Sequence, residues 1–351
     1  MKPRVVVLYE HGLDNQPFSS AYIRLINPLT YPKIINNYNI EFDTEYYGNS
    51  CDAVIIDRLW RPDISLNYAK SLLNDIHKTG VKLIYSCDDN FLEMPVKDDG
   101  WFNSEKVEIV KYFLNNADQV WATTDLLGQS FKNYSDNVFV IPNHFDDRLI
   151  FPNNYIDKKD NSVINIGYMG TYTHFQDLKL ISNVLNEIGE KYHNQVHLQI
   201  IGISNSEEIN HLLKNINFEN INSCFYGRDY PSFIKWYGET INWDIAIAPL
   251  SPLPMNKYKS DLKFLDYSLI HAAGIYSDLE PYNSSKFIAD CFSGIVTSND
   301  EESWFNAIDT MIWNTSFRKK IAENAYNKFI NFCTLKTGIN YWIQALNDIL
   351  K

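Results

Sequence analysis

The chain has 351 residues, of which 45% are hydrophobic, and a net charge of −12 with five cysteines. This length suits two domains, and the apolar content fills two cores, which excludes wholesale disorder. The acidic balance argues against nucleic acid, whose phosphates demand a basic face, and any phosphate bound here needs positive charge placed locally.

Val5-Val6-Val7-Leu8 opens the chain as a β-branched run, so residues 5–9 are predicted to form a buried first strand and not a secretion signal. Further strands are expected at 53–57, 81–85, 119–122 and 138–141. Helices are expected between them at 19–27, 66–78, 104–115 and 124–131. Pro142-Asn143-His144-Phe145-Asp146-Asp147 and the polar stretch to Ser162 form the clearest linker. The alternation then restarts, with strands at 163–168, 196–201, 223–226, 244–248, 274–276 and 294–296. The helices of this half fall at 176–191, 206–214, 231–239, 258–272 and 301–313, and two more at 316–332 and 335–350 close the chain. Such alternation implies βαβ units and parallel sheets covered on both faces. The expected architecture is therefore α/β, with two Rossmann-like doubly wound domains facing each other across a cleft. Ligands of such sheets bind at the carboxyl ends of the strands.

No apolar run nears the ~20 residues of a membrane span. A cytoplasmic protein is expected, with room for peripheral contact at the inner face of the membrane. Cys51, Cys87, Cys224, Cys291 and Cys333 are dispersed without a C-x-x-C pair, which fits reduced thiols.

Three segments carry residues suited to chemistry. The first runs from Trp243 through Pro249 and on to Asn256-Lys257-Tyr258-Lys259-Ser260-Asp261-Leu262-Lys263-Phe264-Leu265-Asp266. A helix over 258–272 would set Lys259, Lys263 and Asp266 at i, i+4 and i+7 on one face, beside a helix N-terminus that favours anions. Ammonium groups there suit a diphosphate and Asp266 suits ribose hydroxyls; a solvated face of Lys–Asp pairs is the competing reading. The second is Asn165 to Asp177, a strand, a turn with Gly170-Thr171 and a helix start, whose backbone can approach a phosphate or sugar closely. A plain turn with Asp177 near the helix start is its alternative. It lacks G-x-G-x-x-G, so nicotinamide has no support. The third is Ser86-Cys87-Asp88-Asp89, two carboxylates just past a strand that could act as base, hold acceptor hydroxyls, cap the next segment or be solvated. No metal is expected, because no further ligands accompany them. His11-Gly12 and Arg24 are expected at the lip of the first half, and Arg228 either reaches a phosphate or pairs with Asp229. Signatures of serine hydrolases, zinc proteases and P-loop kinases are absent.

These residues resemble bacterial glycosyltransferases of the family-4 type, retaining enzymes of the GT-B fold, and most of all the surface-polysaccharide branch. Ile166-Gly167-Tyr168-Met169-Gly170-Thr171, Asp244 through Leu250, Lys259-Ser260 with Lys263, Asp266-Tyr267, Val140-Ile141-Pro142-Asn143 and Tyr85 through Asp89 carry the resemblance. It implies an acceptor-side domain at 1–150, a nucleotide-sugar domain at 151–332 and a helix at 333–351 crossing back to the first. Gly170 and Thr171 would face the donor, Lys259 and Lys263 would hold the diphosphate, and Asp266 would replace the second Glu of the Glu-x7-Glu motif at the ribose. The first Glu falls at Tyr258, which leaves Asn256 and Ser260 as the candidates nearest the sugar. The implied reaction moves a sugar from a nucleotide diphosphate to a glycan or lipid-linked glycan acceptor, needing neither metal nor other cofactor. Asp88 or Asp89 would be the base if the enzyme inverts. A nucleotide-sugar epimerase or hydrolase, and a non-catalytic nucleotide- or sugar-binding protein, are the rivals.

Overall fold

The computed structural model describes residues 2–48, 50–97, 100–150, 163–203, 206–221 and 229–350. They divide into two compact units: Met1–Asp147 with Lys257–Ser260 and Thr334–Lys351, and Arg148–Asn256 with Asp261–Cys333.

The first unit holds six parallel strands: β1 (Arg4–Leu8), β2 (Asn39–Asp43), β3 (Ala53–Asp57), β4 (Lys82–Ser86), β5 (Gln119–Ala122) and β6 (Val138–Val140). Their order is β2-β1-β3-β4-β5-β6, so the sheet changes direction of growth between β1 and β3. Successive side chains of a strand point to opposite faces, and the core divides accordingly. Val6, Leu8, Val54, Ile56, Leu83 and Tyr85 join one cluster with the helices Leu66–Lys78 and Ser104–Asn116. Val5, Val7, Ala53, Ile55 and Ile84 join the other, which is closed by Leu335, Ile339, Trp342 and Leu346 from the end of the chain. Each of the two long helices starts at a side-chain cap: Ser65 accepts from Tyr68 N–H and Asn103 accepts from Lys106 N–H.

The second unit repeats the plan with β7 (Ile164–Met169), β8 (Val196–Ile201), β9 (Phe218–Ile221), β10 (Ile245–Ala248), β11 (Ala273–Ser277) and β12 (Ile295–Thr297). The order β12-β11-β10-β7-β8-β9 is the dinucleotide-fold arrangement, reversing between β7 and β10. Gly167 permits close packing there: a Cβ at that position would lie 1.7 Å from the Trp243 ring.

The two-sheet α/β expectation is what the structure shows. Several elements differ in extent. The helix expected at 258–272 spans only Leu262–Leu269, preceded by a short turn of helix at Pro254–Tyr258. The helix expected at 176–191 is two pieces, Phe175–Leu180 and Ser182–Tyr192, broken where Ile181 leaves helical geometry. Strand β2 and the helix Pro32–Ile35 were not expected. The strand expected at 223–226 and Cys224 lie outside the described residues. Among the described residues the other four cysteines are free, and no helix is long and apolar enough to cross a membrane.

Candidate functional site

At the reversal point of the second unit, the loops leaving β7 and β10 are tied together by one carboxylate. Asp177 is 4% exposed. Its Oδ2 lies 2.7 Å from His174 Nδ1, and its Oδ1 accepts the Ser251 backbone N–H at 2.7 Å. Burial alone would raise its carboxyl, but the His174 and Ser251 hydrogen bonds outweigh that and hold it below the usual carboxylate range. The rest of the crevice wall is built around this bond. Asn256 Nδ2 donates to Ser251 O at 2.8 Å, and Tyr168 Oη donates to His174 O at 2.9 Å. Gly170 donates its N–H to Ile201 O, and a Cβ on it would sit 2.9 Å from His174 Cβ, so the loop has no room for a larger residue. Gly202, at φ +92, passes so close that its own Cβ would meet Gly170 O at 2.6 Å. Thr171 is exposed, its Oγ1 2.8 Å from Thr173 Oγ1.

The helix Leu262–Leu269 starts without a side-chain cap. In contrast, Asp229 caps Tyr230–Thr240 and Asp300 caps Glu301–Trp313. Asp261, which precedes the uncapped helix, instead accepts from Ser285 Oγ at 2.5 Å. The Phe264 N–H is taken by Asp261 O at 2.8 Å, which leaves the Leu262 and Lys263 N–H groups without a side-chain cap. Lys263 is the second residue of the helix, and its Nζ lies 3.4 Å from Asp266 Oδ2. Burial raises the Asp266 carboxyl, and Lys263 only partly offsets this.

Replacing Asp177 with Ala is expected to cost about 2–4 kcal/mol in urea denaturation at pH 7, because two hydrogen bonds to an ionised, buried carboxylate are lost. Its folded pKa is depressed, so its contribution is present above the ordinary value of 3.8 and is lost as pH falls through the folded one. The gap between wild type and variant should therefore narrow at pH 3; an equal gap at pH 3 and pH 7 would mean that the charge of Asp177 is irrelevant.

The first unit has a cluster at its own reversal point. Arg58, one residue past β3, reaches Glu10 Oε2 at 2.7 Å, Asp88 Oδ1 at 3.0 Å and Asp89 Oδ2 at 2.6 Å. The contact to Asp88 is an ion pair lacking hydrogen-bond alignment. The guanidinium also lies 4.9 Å from the centre of the Phe91 ring. Asp57 sits beneath, fully buried; its Oδ2 accepts Glu10 N–H at 3.2 Å and its Oδ1 has no partner. Burial pushes the Asp57 carboxyl well up, reinforced by Glu10 and Asp88. Burial would lower the Arg58 guanidinium, but the surrounding carboxylates raise it well above its ordinary value. Arg58 holds φ at +50, a left-handed conformation that costs a non-glycine residue ~1–2 kcal/mol.

No family model and no curated protein matches this chain significantly. Solved structures do. Sucrose-phosphate synthase from Thermosynechococcus elongatus superposes with a TM-score of 0.69 at 10% identity, over 99% of each chain. HepE (Alr3699) from Anabaena, solved with UDP and glucose, gives 0.67 at 12% identity, over 99% of this chain and 100% of that one. TarM gives 0.61 at 15% identity, over 84% of this chain, which spans only 54% of TarM. The chain has the GT-B fold.

Within the GT-B frame, the expected site residues are distributed as follows. Gly170, Thr171, Asn256, Lys263 and Asp266 all belong to the second unit. Lys259 does not share a helix face with Lys263, because the helix begins three residues after it. It belongs with Tyr258 and Ser260 to the first unit, where Tyr258 is buried in the core, its carbonyl accepting from Thr124 Oγ1 at 3.0 Å. Ser260 Oγ accepts from Asn143 Nδ2 at 2.8 Å. Arg24 does not stand at an exposed lip: it is 1% exposed, donates to Ile141 O at 2.7 Å and to Asn143 Oδ1 at 2.8 Å, and packs over Trp342. Burial lowers its guanidinium to about 10. His11 is 7% exposed, its Nδ1 2.7 Å from Gly12 O and its Nε2 without a partner. Gly12 forms part of the turn, its N–H donating to Gln16 O. Arg228 lies outside the described residues. The sequence reading missed Arg58 altogether and took Asp177 only as a residue near a helix start. A charged residue immediately after a buried strand was the available signal for Arg58.

Proposed function

We propose that this protein is a glycosyltransferase that takes a sugar from a nucleotide diphosphate held by the second unit and passes it to a glycan acceptor held by the first. The uncapped start of helix Leu262–Leu269, together with Lys263, carries this reading. Helix N–H groups without a side-chain cap and an ammonium favour a diphosphate, and both act on the charge that develops as the leaving group departs. Gly170 and the Ser251–Asn256 loop supply close backbone approach, with Asn256 assigned to the donor sugar and Asp266 to the ribose. Support comes from HepE, which was solved with UDP and glucose.

Asp88 and Asp89 are assigned to acceptor hydroxyls rather than to proton abstraction, because each already has a carboxylate oxygen engaged by Arg58. That favours a retaining reaction in which the departing diphosphate takes the acceptor proton, with no protein nucleophile and no metal. We assign the product to bacterial surface polysaccharide or glycoconjugate synthesis, the acceptor being a free or lipid-linked glycan.

Thermal-shift titration with UDP, GDP, dTDP and CMP should raise the unfolding temperature with one of them by mass action. The sugar-charged form of that nucleotide should then be consumed only when an acceptor is present. Donor turnover without acceptor would replace this reading with an epimerase or hydrolase, and binding without any turnover would leave a binding protein.

A further inference from the structure

On the first unit, a groove of about 520 Å³ runs between the segment that follows β2 and the helix Leu66–Lys78. It draws on none of the residues of the Arg58 cluster. Its volume falls in the ~300–1,000 Å³ range of small-molecule sites. From the helix and its C-cap it takes Tyr68, Ser71, Asp75 and Thr79, which recur at helical spacing along one face. Tyr46 and Tyr47 form the opposite wall, where Gly48 turns the backbone at φ +69 with open space above it.

Two features describe the occupant. Tyr47 is 69% exposed, so the groove presents large aromatic surface to solvent, and Tyr68 adds a ring that is 39% exposed. Tyr68 is also held in place, donating to Glu45 Oε2 at 3.0 Å while the Arg61 guanidinium lies 5.0 Å from its ring centre. A fixed ring of this kind suits the apolar C–H face of a pyranose. Finally, Asp75 and Lys78 face each other at 4.0 Å, which leaves the rim without net charge and disfavours an ionic ligand. We infer that this groove is a binding site for a neutral saccharide, separate from the residues assigned to the reaction. It rests on the groove's own chemistry and not on the reading of the second unit.

Saturation-transfer NMR on the full chain with maltotriose, triacetylchitotriose and a hyaluronan tetrasaccharide as the anionic control tests it. At least one neutral trisaccharide should bind. Its Kd should weaken about tenfold in Tyr47→Ala, an exposed position whose fold can be verified by circular dichroism, and stay unchanged in Trp313→Ala, an exposed position of the second unit. Three results would overturn the inference: no transfer from either neutral sugar, tighter binding of the anionic one, or a Kd that Tyr47→Ala leaves unchanged. Because the nucleotide titration reports on the second unit alone, failure here and failure of the donor reading are separate outcomes.

Discussion

Replacing Arg58 with Met is expected to destabilise the protein by about 3–4 kcal/mol at neutral pH. Removing one partner of a buried ion pair leaves the other charge uncompensated, typically at ~3–5 kcal/mol. Here one guanidinium, 17% exposed, faces three carboxylates that are 10–25% exposed, so solvent returns little of the loss. The strained φ of Arg58 points the same way: a left-handed arginine persists only where its contacts outweigh the conformational cost.

The pH dependence gives the test its sign. Burial already raises Glu10 and Asp57 above their ordinary values of 4.5 and 3.8. Losing Arg58 raises Glu10 further, since the guanidinium is what lowers it. A raised carboxyl contributes stability that is present below the unfolded value and lost as pH rises through the folded one. The deficit of Arg58→Met should therefore shrink at pH 5 and grow at pH 8 in urea denaturation. Arg58→Lys should fall between the two, because an ammonium cannot fork across three carboxylates. A pH-independent loss below ~1 kcal/mol would show that the cluster is held by something other than this charge.

Much of the fold was legible because buried parallel strands and amphipathic helices leave strong local patterns. Ala53–Asp57, Gln119–Ala122 and Val196–Ile201 are β-branched or aromatic runs with buried residues on both faces, and Leu66–Lys78 carries its apolar positions at helical spacing. What was hidden lies at edges and junctions. Strand β2 reads Asn-Ile-Glu-Phe-Asp, an edge strand with polar residues and no apolar run, and only its pairing to β1 makes it a strand. Strand β9, at the opposite edge of the other sheet, is as polar. The spacing of Lys259, Lys263 and Asp266 was a true helical period, but the Tyr258 ring is drawn into the core of the first unit and Asp261 bonds Ser285, so the helix cannot start before Leu262. Tertiary contacts overrode a local pattern there. The junction made by Asp177 spans 74 residues of sequence to Ser251, a distance over which no motif carries a signal.

Lys263→Ala is expected to lower kcat/KM for sugar transfer by ~10²–10³, the cost of removing one preorganised charge from a developing anion, ~2.7–4 kcal/mol. A structural explanation has to be separated from this, because Lys263 is also the partner of a buried carboxylate. Without the ammonium, the Asp266 carboxyl, already raised by burial, rises further. Its stabilising contribution is then present at low pH and lost as pH climbs through the folded value, so the variant should be close to wild type in stability at pH 5 and weaker at pH 8. Protonating Asp266 repairs the fold but puts no positive charge next to the diphosphate. Transfer should therefore stay depressed at pH 5 even where stability has recovered. If activity returns together with stability at low pH, Lys263 serves only to neutralise Asp266.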